Sequence, residues 1–205
     1  MNAKPGHVYL VDDDPDVRFY VGDLLRLLGY SVNEYSHAEA FFQQALEFSP
    51  AVVLMDMRMP GLTGVQAQRR LAEIGRHTPV VFISGESQPQ EIIDAMKGGA
   101  VDFLIKPFNR EQLVAALDKA LAIDAAQRDQ FVRLQRVRRL FDALTEREKD
   151  VFFLILQAHS NIAIGEQTGV QAGTVKKHRA AIFEKFGVDN VAELIELCKG
   201  LDLTA

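Results

Sequence analysis

Five residues in the first half of the chain have side chains that could share one piece of chemistry: the three carboxylates Asp12, Asp13 and Asp56, with Ser84 and Lys106; Asp14 extends the acidic run. Carboxylates gathered in one place repel each other unless a cation holds them. Hard oxygen donors suit Mg2+, which keeps several waters and takes only a few carboxylates. With an incoming phosphoryl group completing such a shell, Asp56 has the chemistry to attack phosphorus and form an acyl phosphate. The Ser84 hydroxyl and the Lys106 ammonium are suited to hold the other phosphoryl oxygens. A buried structural acid cluster is the plain alternative, and it leaves Lys106 and the adjacent Asp pair without a purpose. A second set, Lys176, Lys177 and Arg179, is packed into one short stretch near the other end. Three cations on one helix suit a major groove lined by phosphates; a solvated basic face is the alternative there.

Residues 12, 56, 84 and 106 meet only if four segment ends converge, and the hydropathy pattern provides such ends. Val8–Val11 is an apolar run that stops at acids, and Val17, Val21, Leu24, Leu25 and Leu28 then follow helical spacing up to Gly29. Ser31–Tyr35 reads as a weaker strand and Ala38–Phe48 as a helix. Ala51–Met55 is a buried strand ending at Asp56, followed by a helix over Gly64–Ile74. Pro79–Ile83 is an apolar strand ending at Ser84, with a helix over Pro89–Lys97. Val101–Ile105 ends at Lys106-Pro107, and a helix over Arg110–Leu121 closes the unit. Apolar strands alternating with amphipathic helices form a parallel sheet covered on both faces. Ligands of such sheets sit outside the carboxyl ends of the strands, which is where the polar residues fall.

The second half is helical throughout. Ala122–Leu140 holds no Gly or Pro, and Phe131, Leu134, Val137, Phe141 and Leu144 repeat at three- and four-residue steps. That is a helical connector packing on the next domain or on its twin. Thr145 with Glu148 forms a capping box that starts a helix at Glu146 and carries the run Val151–Leu156. Helices follow over Ile162–Thr168, closed by Gly169, over Thr174–Phe186, closed by Gly187, and over Asn190–Lys199. Short helices with a tight glycine turn before the third make a helix-turn-helix. In that third helix Val175, Ile182 and Phe186 form the buried stripe, so Lys176, Lys177 and Ala180 face outward with Arg179 on the flank.

Composition narrows the classes. The 205 residues are 48% hydrophobic and 25% charged, which is globular rather than disordered composition. No apolar run approaches the roughly 20 residues of a membrane span, and Met1–Gly6 carries no signal-peptide core, so a cytoplasmic protein with no membrane partner is expected. A lone Cys198 excludes a disulfide framework and a thiolate zinc site and reads as a helix-packing residue. Residues 1–121 carry 11 Lys+Arg against 16 Asp+Glu, whereas residues 122–205 carry 12 against 12. An acidic unit joined to a neutral one with local basic clusters points to two domains with different partners. With the whole chain at net −5, nucleic-acid binding must rest on a local patch.

Val11-Asp12-Asp13, Met55-Asp56-Met57-Arg58-Met59-Pro60-Gly61, Ile83-Ser84-Gly85 and Phe103-Leu104-Ile105-Lys106-Pro107-Phe108 resemble the signatures of a response-regulator receiver domain, in order, across residues 5–121. Residues 144–197 resemble the LuxR-type helix-turn-helix through Leu144-Thr145-Glu146-Arg147-Glu148, Ser160-Asn161, Gly169-Val170, Thr174 to Arg179 and Lys185 to Val188. The whole layout is similar to FixJ-type two-component regulators. The resemblance implies an α/β unit of flavodoxin-like, doubly wound topology, with a five-stranded parallel sheet in the order 2-1-3-4-5, joined to an all-α unit. It implies a receiver over 1–121, a helical linker over 122–141 and a DNA-binding domain over 142–205. Asp56 would be the phosphoacceptor. Asp13, Asp56 and the Arg58 carbonyl would bind Mg2+ directly, with Asp12 acting through water. A cis peptide would precede Pro107, while Ser84 and Phe103 would move as switch residues; Asp14 is expected to be a bystander.

Carried to the C-terminal unit, the resemblance implies DNA contacts from Asn161, Thr174, Lys176, Lys177, His178, Arg179, Ala180 and Lys185. The implied partners are a cognate sensor histidine kinase, promoter DNA, RNA polymerase, and a second copy of the chain upon phosphorylation. Transcription regulation rather than enzymatic turnover is the expected output, and a phosphatase reading is weakened because Arg58 occupies the place of a second acid. There are departures: Gln171 replaces the usual capping Ser, Gly173 follows it, Ile162-Ala163 replace a Lys-Glu pair, and Gly165 and Thr168 replace core Ala and Leu. A lost cap costs about 1 kcal/mol and a helix glycine a similar amount. These changes keep open a rival reading, a phosphorylation-dependent interaction protein whose weakened C-terminal domain binds protein or RNA. Two further expectations concern side chains: Arg58 and Glu86 border the opening to the acyl phosphate and can pair there, and Phe153 stands outside the helical core, free to pack on the receiver or linker.

Overall fold

The computed structural model describes residues 6–44, 48–85 and 88–200. Glu86 falls outside them. The chain divides into two compact units, residues 1–128 and 129–205.

In the first unit five strands, β1 (His7–Val11), β2 (Ser31–Tyr35), β3 (Ala51–Asp56), β4 (Val80–Ser84) and β5 (Asp102–Ile105), pair in parallel in the order β2-β1-β3-β4-β5. β1, β3 and β4 are buried residue by residue, because helices cover both faces. On one face Val8, Leu10, Val52, Leu54, Val81 and Ile83 pack under α1 (Pro15–Leu27) and the first turns of α5 (Arg110–Asp142). On the other, Tyr9, Val53, Met55 and Phe82 pack under α2 (Ala38–Phe42), α3 (Gly64–Glu73) and α4 (Pro89–Lys97). The alternation of side chains along each strand assigns each residue to its face. Asp14 is exposed and caps α1, its carboxylate accepting from the Asp16 and Val17 N–H groups.

Two elements depart from the sequence reading. α2 ends at Phe42, well short of Phe48. Phe48 stacks instead on the buried His7 ring, with centroids 4.1 Å apart, and its N–H donates to the Tyr9 hydroxyl. α5 is one helix through residue 142 rather than a closing helix and a separate connector. No Gly or Pro interrupts it between Arg110 and Asp142. Its residue Asp124 still belongs to the first unit, where it accepts from Ser49 Oγ at 2.7 Å and Ala51 N–H at 3.0 Å.

The second unit packs the end of α5 with α6 (Glu146–Leu156), α7 (Asn161–Thr168), α8 (Ala172–Phe186) and α9 (Val191–Cys198) around Val137, Phe141, Phe152, Ile155, Ile164, Val175, Ile182, Phe186 and Leu194. Cys198 is buried among them, and burial pushes its thiol up to about 11, as a packing residue requires. Gly165 belongs here for a steric reason: a Cβ at this position would lie 2.5 Å from the Val170 carbonyl. The turn out of α7 folds back closely enough to exclude alanine, so this glycine is a packing device and not merely a weakened helix. Thr168 satisfies its hydroxyl on the Ile164 carbonyl at 2.7 Å.

Candidate functional site

The parallel register delivers Asp12, Asp56, Ser84 and Lys106 to one edge of the sheet, each at or just beyond the carboxyl end of its strand. Asp12 is fully buried, and Asp56 and Ser84 nearly so. Lys106 Nζ donates to Asp12 Oδ2 at 2.8 Å and to Asp56 Oδ1 at 2.9 Å, so one ammonium bridges two carboxylates. The remaining oxygens are also used: Asp12 Oδ1 accepts from the Asp14 N–H at 3.0 Å and Asp56 Oδ2 from the Arg58 N–H at 2.7 Å. Burial pushes the Asp12 carboxyl above its ordinary range, and the hydrogen bond and charge of Lys106 only partly offset this. Burial would lower Lys106, but the two carboxylates outweigh it and raise the ammonium. The Lys106–Pro107 peptide is cis, as expected. Lys106 N–H bonds the Ser84 carbonyl at 2.7 Å, tying the two strand ends together.

Asp13 stands exposed in the loop after β1. The sequence reading of three crowded carboxylates is therefore corrected to a pair on one ammonium with a third at the rim. Among the described residues no three acid, His or Cys side chains are gathered into a metal cage. The donors present are nonetheless of the right kind: carboxylate and carbonyl oxygens, few in number, at an edge open to solvent on the Asp13 side. That is how Mg2+ is held when water and phosphate oxygens supply the rest of its shell. Phe103 is half-buried and packed against the core on the α3–α4 face.

Residues that the sequence reading did not select complete the surroundings. Arg18 Nη1 donates to the Asp12 carbonyl at 2.6 Å, fixing the end of β1. The Arg58 guanidinium finds Glu91, at 3.0 Å, in the first turn of α4. Glu91 is held below its usual range by the Gln88 N–H and then by Arg58. The spacing Gln88 to Glu91, a capping box, was the signal that could have placed Glu91 at a helix start facing the loops. Gly64 begins α3 against the site; a Cβ there would lie 2.6 Å from the Asp56 carbonyl.

In the second unit Ser160 caps α7 and Gly169 closes it with φ +70, the left-handed conformation that turns the chain into α8. Gln171 occupies the cap of α8 without a side-chain hydrogen bond, and the helix begins two residues before the expected Thr174. Val175, Ile182 and Phe186 are buried, while Thr174, Lys176, Lys177 and Ala180 are exposed; Asn161 and His178 are half-buried. Arg179 is half-buried and donates to the His159 carbonyl at 3.2 Å. Lys185 donates to both carboxylate oxygens of Glu148, at 2.9 and 2.7 Å, so its charge is committed across α6 and α8.

The Response regulator receiver domain family matches residues 8–118, and the luxR family of bacterial regulatory proteins matches residues 142–198. The chain belongs to the two-component response regulators. Its output domain is of the LuxR, DNA-binding type, and its relatives are transcription regulators. This regulator is 32% identical over 201 residues to the response regulator protein TmoT of Ectopseudomonas mendocina, covering 98% of this chain and 91% of that one. It superposes on the response regulator StyR with a TM-score of 0.81 at 34% identity, covering 96% of this chain and 99% of that one. Full-length FixJ from B. japonicum gives a TM-score of 0.58 at 29% identity, over 94% and 95% of the two chains. Among the described residues of the regulator no helix is long and apolar enough to cross a membrane.

Proposed function

We propose that this regulator takes a phosphoryl group on Asp56 from a cognate sensor histidine kinase and converts that event into promoter binding by a dimer. The observation that carries the reading is the Lys106 ammonium bridging Asp12 and Asp56 at the sheet edge. In the transfer an Asp56 carboxylate oxygen attacks phosphorus, the bond from phosphorus to the kinase imidazole nitrogen breaks, and an acyl phosphate forms. Lys106 then has a phosphoryl oxygen to pair with in place of Asp56 Oδ1, and Ser84 at the neighbouring strand end donates to another. Phe103 turning inward behind Ser84 would report the change. Asp13, Asp56 and the Arg58 carbonyl would hold Mg2+, with Asp12 contributing through water; the ion supplies positive charge against which the phosphoryl oxygens accumulate.

The functional partition that goes with this reading is a receiver over 1–121, a linker over 122–141 and a DNA-binding domain over 142–205. Lys176 and Lys177, exposed on α8 beside Thr174 and Ala180, are the groove-facing set, with Asn161 and His178 at its border. Arg179 and Lys185 join only by leaving their partners within the unit. The luxR-family match over 142–198 supports duplex DNA over a protein or RNA target for this domain. RNA polymerase is the further partner at a promoter, and the site of action is the cytoplasm. The reading is that of a regulator, not an enzyme.

Intact-mass measurement after incubation with Mg2+ and acetyl phosphate tests the assignment. The parent gains one phosphoryl group and Asp56→Asn gains none while keeping its circular dichroism. A full-yield adduct on the Asn variant would remove Asp56 from its role.

A further inference from the structure

The loop that joins β1 to α1 presents Asp13, and a single arginine grips that loop on both sides of it. Asp12 N–H bonds the Tyr35 carbonyl at 3.1 Å, and Asp14 N–H bonds Asp12 Oδ1 at 3.0 Å. The Asp14 carboxylate in turn caps α1 through the Asp16 and Val17 N–H groups. Arg18, half-buried, stands one turn in from that cap. Its own N–H bonds the Asp14 carbonyl at 3.0 Å, and its guanidinium Nη1 donates to the Asp12 carbonyl at 2.6 Å. Helical side chains point back over the turn before their own Cα, which is how Arg18 reaches the loop from within the helix. A cation near a helix N-terminus opposes the macrodipole. The helix itself therefore gives no reason for arginine at this position, whereas the Asp12 carbonyl does. Both residues that flank Asp13 are held by Arg18, and Asp13 between them is exposed.

We propose that Arg18 is a positioning residue for divalent-cation binding, fixing the Asp12–Asp13 peptide so that the Asp13 carboxylate is held ready at the acidic edge. The proposal rests on the reading that Asp13 binds Mg2+ directly. A ligand group already held in place need not be ordered when the ion arrives, and losing such a support costs about 10- to 100-fold in metal affinity. The guanidinium also carries charge, and charge acts in the other direction, because a cation near the site repels a second one. Removing Arg18 thus weakens Mg2+ binding if it positions Asp13, and strengthens it if charge is all that it contributes. The sign of the change separates the two.

Mg2+ is titrated into the full-length, isotope-labelled protein, and the backbone amides of Asp13 and Arg58 are followed by NMR. Arg18→Met keeps the stem but loses the charge and the donors, and it should raise the Mg2+ Kd about tenfold. Arg18→Lys keeps a charge and a donor for what is a single bond rather than a fork, and should stay within about threefold of the parent. In an Asp13→Asn background Arg18→Met should change the Kd by less than about twofold, since it acts through that carboxylate. Phosphoryl uptake from acetyl phosphate should need about tenfold more Mg2+ for half its maximal rate in Arg18→Met, yet reach the parent rate at saturating Mg2+. General loosening of α1 would not give that split. A Kd for Arg18→Met at or below the parent value overturns the proposal. So does an effect of about tenfold that persists without the Asp13 carboxylate, or that Arg18→Lys shows equally. A parent with no saturable shift at either amide would instead remove the Mg2+ reading of Asp13, and the role of Arg18 with it.

Discussion

Lys106 holds its place by donating to two buried carboxylates at once, Asp12 at 2.8 Å and Asp56 at 2.9 Å. An ammonium between two buried carboxylates offsets their repulsion, but it also leaves Asp56 with one oxygen committed to a cation that a phosphoryl group can claim. Arg58 and Glu91 act at the same place from outside. Their pair is half-exposed, at 49% and 38%, so solvent screens it and it adds little to stability. It still spans from the residue two after Asp56 to the first turn of α4, across the loops that border the acyl phosphate. The dephosphorylation rate of the phosphorylated protein should therefore change by a factor of up to about five in Arg58→Ala or Glu91→Ala. Removing both should add little to removing one, since either substitution breaks the pair. Single effects that multiply in the double variant would show that the two side chains act separately. Glu86, two residues after Ser84, is the partner that sequence spacing proposed, and it lies outside the described residues; the Glu91 contact is set by where α4 begins, which spacing alone does not reveal.

Among the elements, α6 and α8 are fastened by Glu148 and Lys185, and the fastening is titratable. The Lys185 ammonium and then the Thr145 N–H hold the buried Glu148 carboxyl at about 2, well below its ordinary 4.5. A carboxylate with a lowered folded value stabilises fully above the unfolded value, and that stability is lost as pH falls through the folded one. The second unit should thus lose stability between about pH 4.5 and 2, and Glu148→Gln should be less stable than the parent by roughly 1–3 kcal/mol at neutral pH. Chemical denaturation followed by α-helix signal should show that difference shrinking across the acid window; a gap that is constant from pH 7 to pH 3 would contradict it. The capping role of Glu148 was legible in the sequence, because Thr145 and Glu148 stand three apart before an apolar run. Its second role was not, since Lys185 lies 37 positions away and only tertiary packing joins them. The same division runs through the molecule. Strand ends were legible because an apolar run that stops at a charge marks the edge of a buried sheet, and Asp56, Ser84 and Lys106 followed from that. Phe48 and Gly165 were not, because their places depend on what folds back onto them. Phe153 was legible in part: its ring meets Phe141, the last residue of the expected linker, at 5.5 Å and Phe152 at 5.9 Å, edge to face.

For the molecule as a whole, the charge distribution limits how DNA can be bound. The chain carries net −5, and the imbalance lies in residues 1–121, so the receiver adds no attraction for phosphate. On α8 the cations are of two kinds. Lys176 and Lys177 are exposed, whereas Arg179 is turned to the His159 carbonyl and Lys185 to Glu148. A dimer presenting only the two lysines of each copy releases about four counterions, and at about 0.9 per phosphate its log–log salt slope should be near −3.5. That is shallow for a specific regulator, and it makes pairing of two copies essential to occupancy. Lys177→Ala in the phosphorylated protein should flatten the slope by about two units. Asp56→Asn, held as a monomer, should show about half the parent slope on a single half-site. Fluorescence anisotropy on a selected operator at several salt concentrations measures all three. A parent slope of about −7 would mean that Arg179 and Lys185 abandon their internal partners on DNA; Glu148 would then lose its counter-charge in the complex, and Glu148→Gln would bind more tightly than the parent instead of equally.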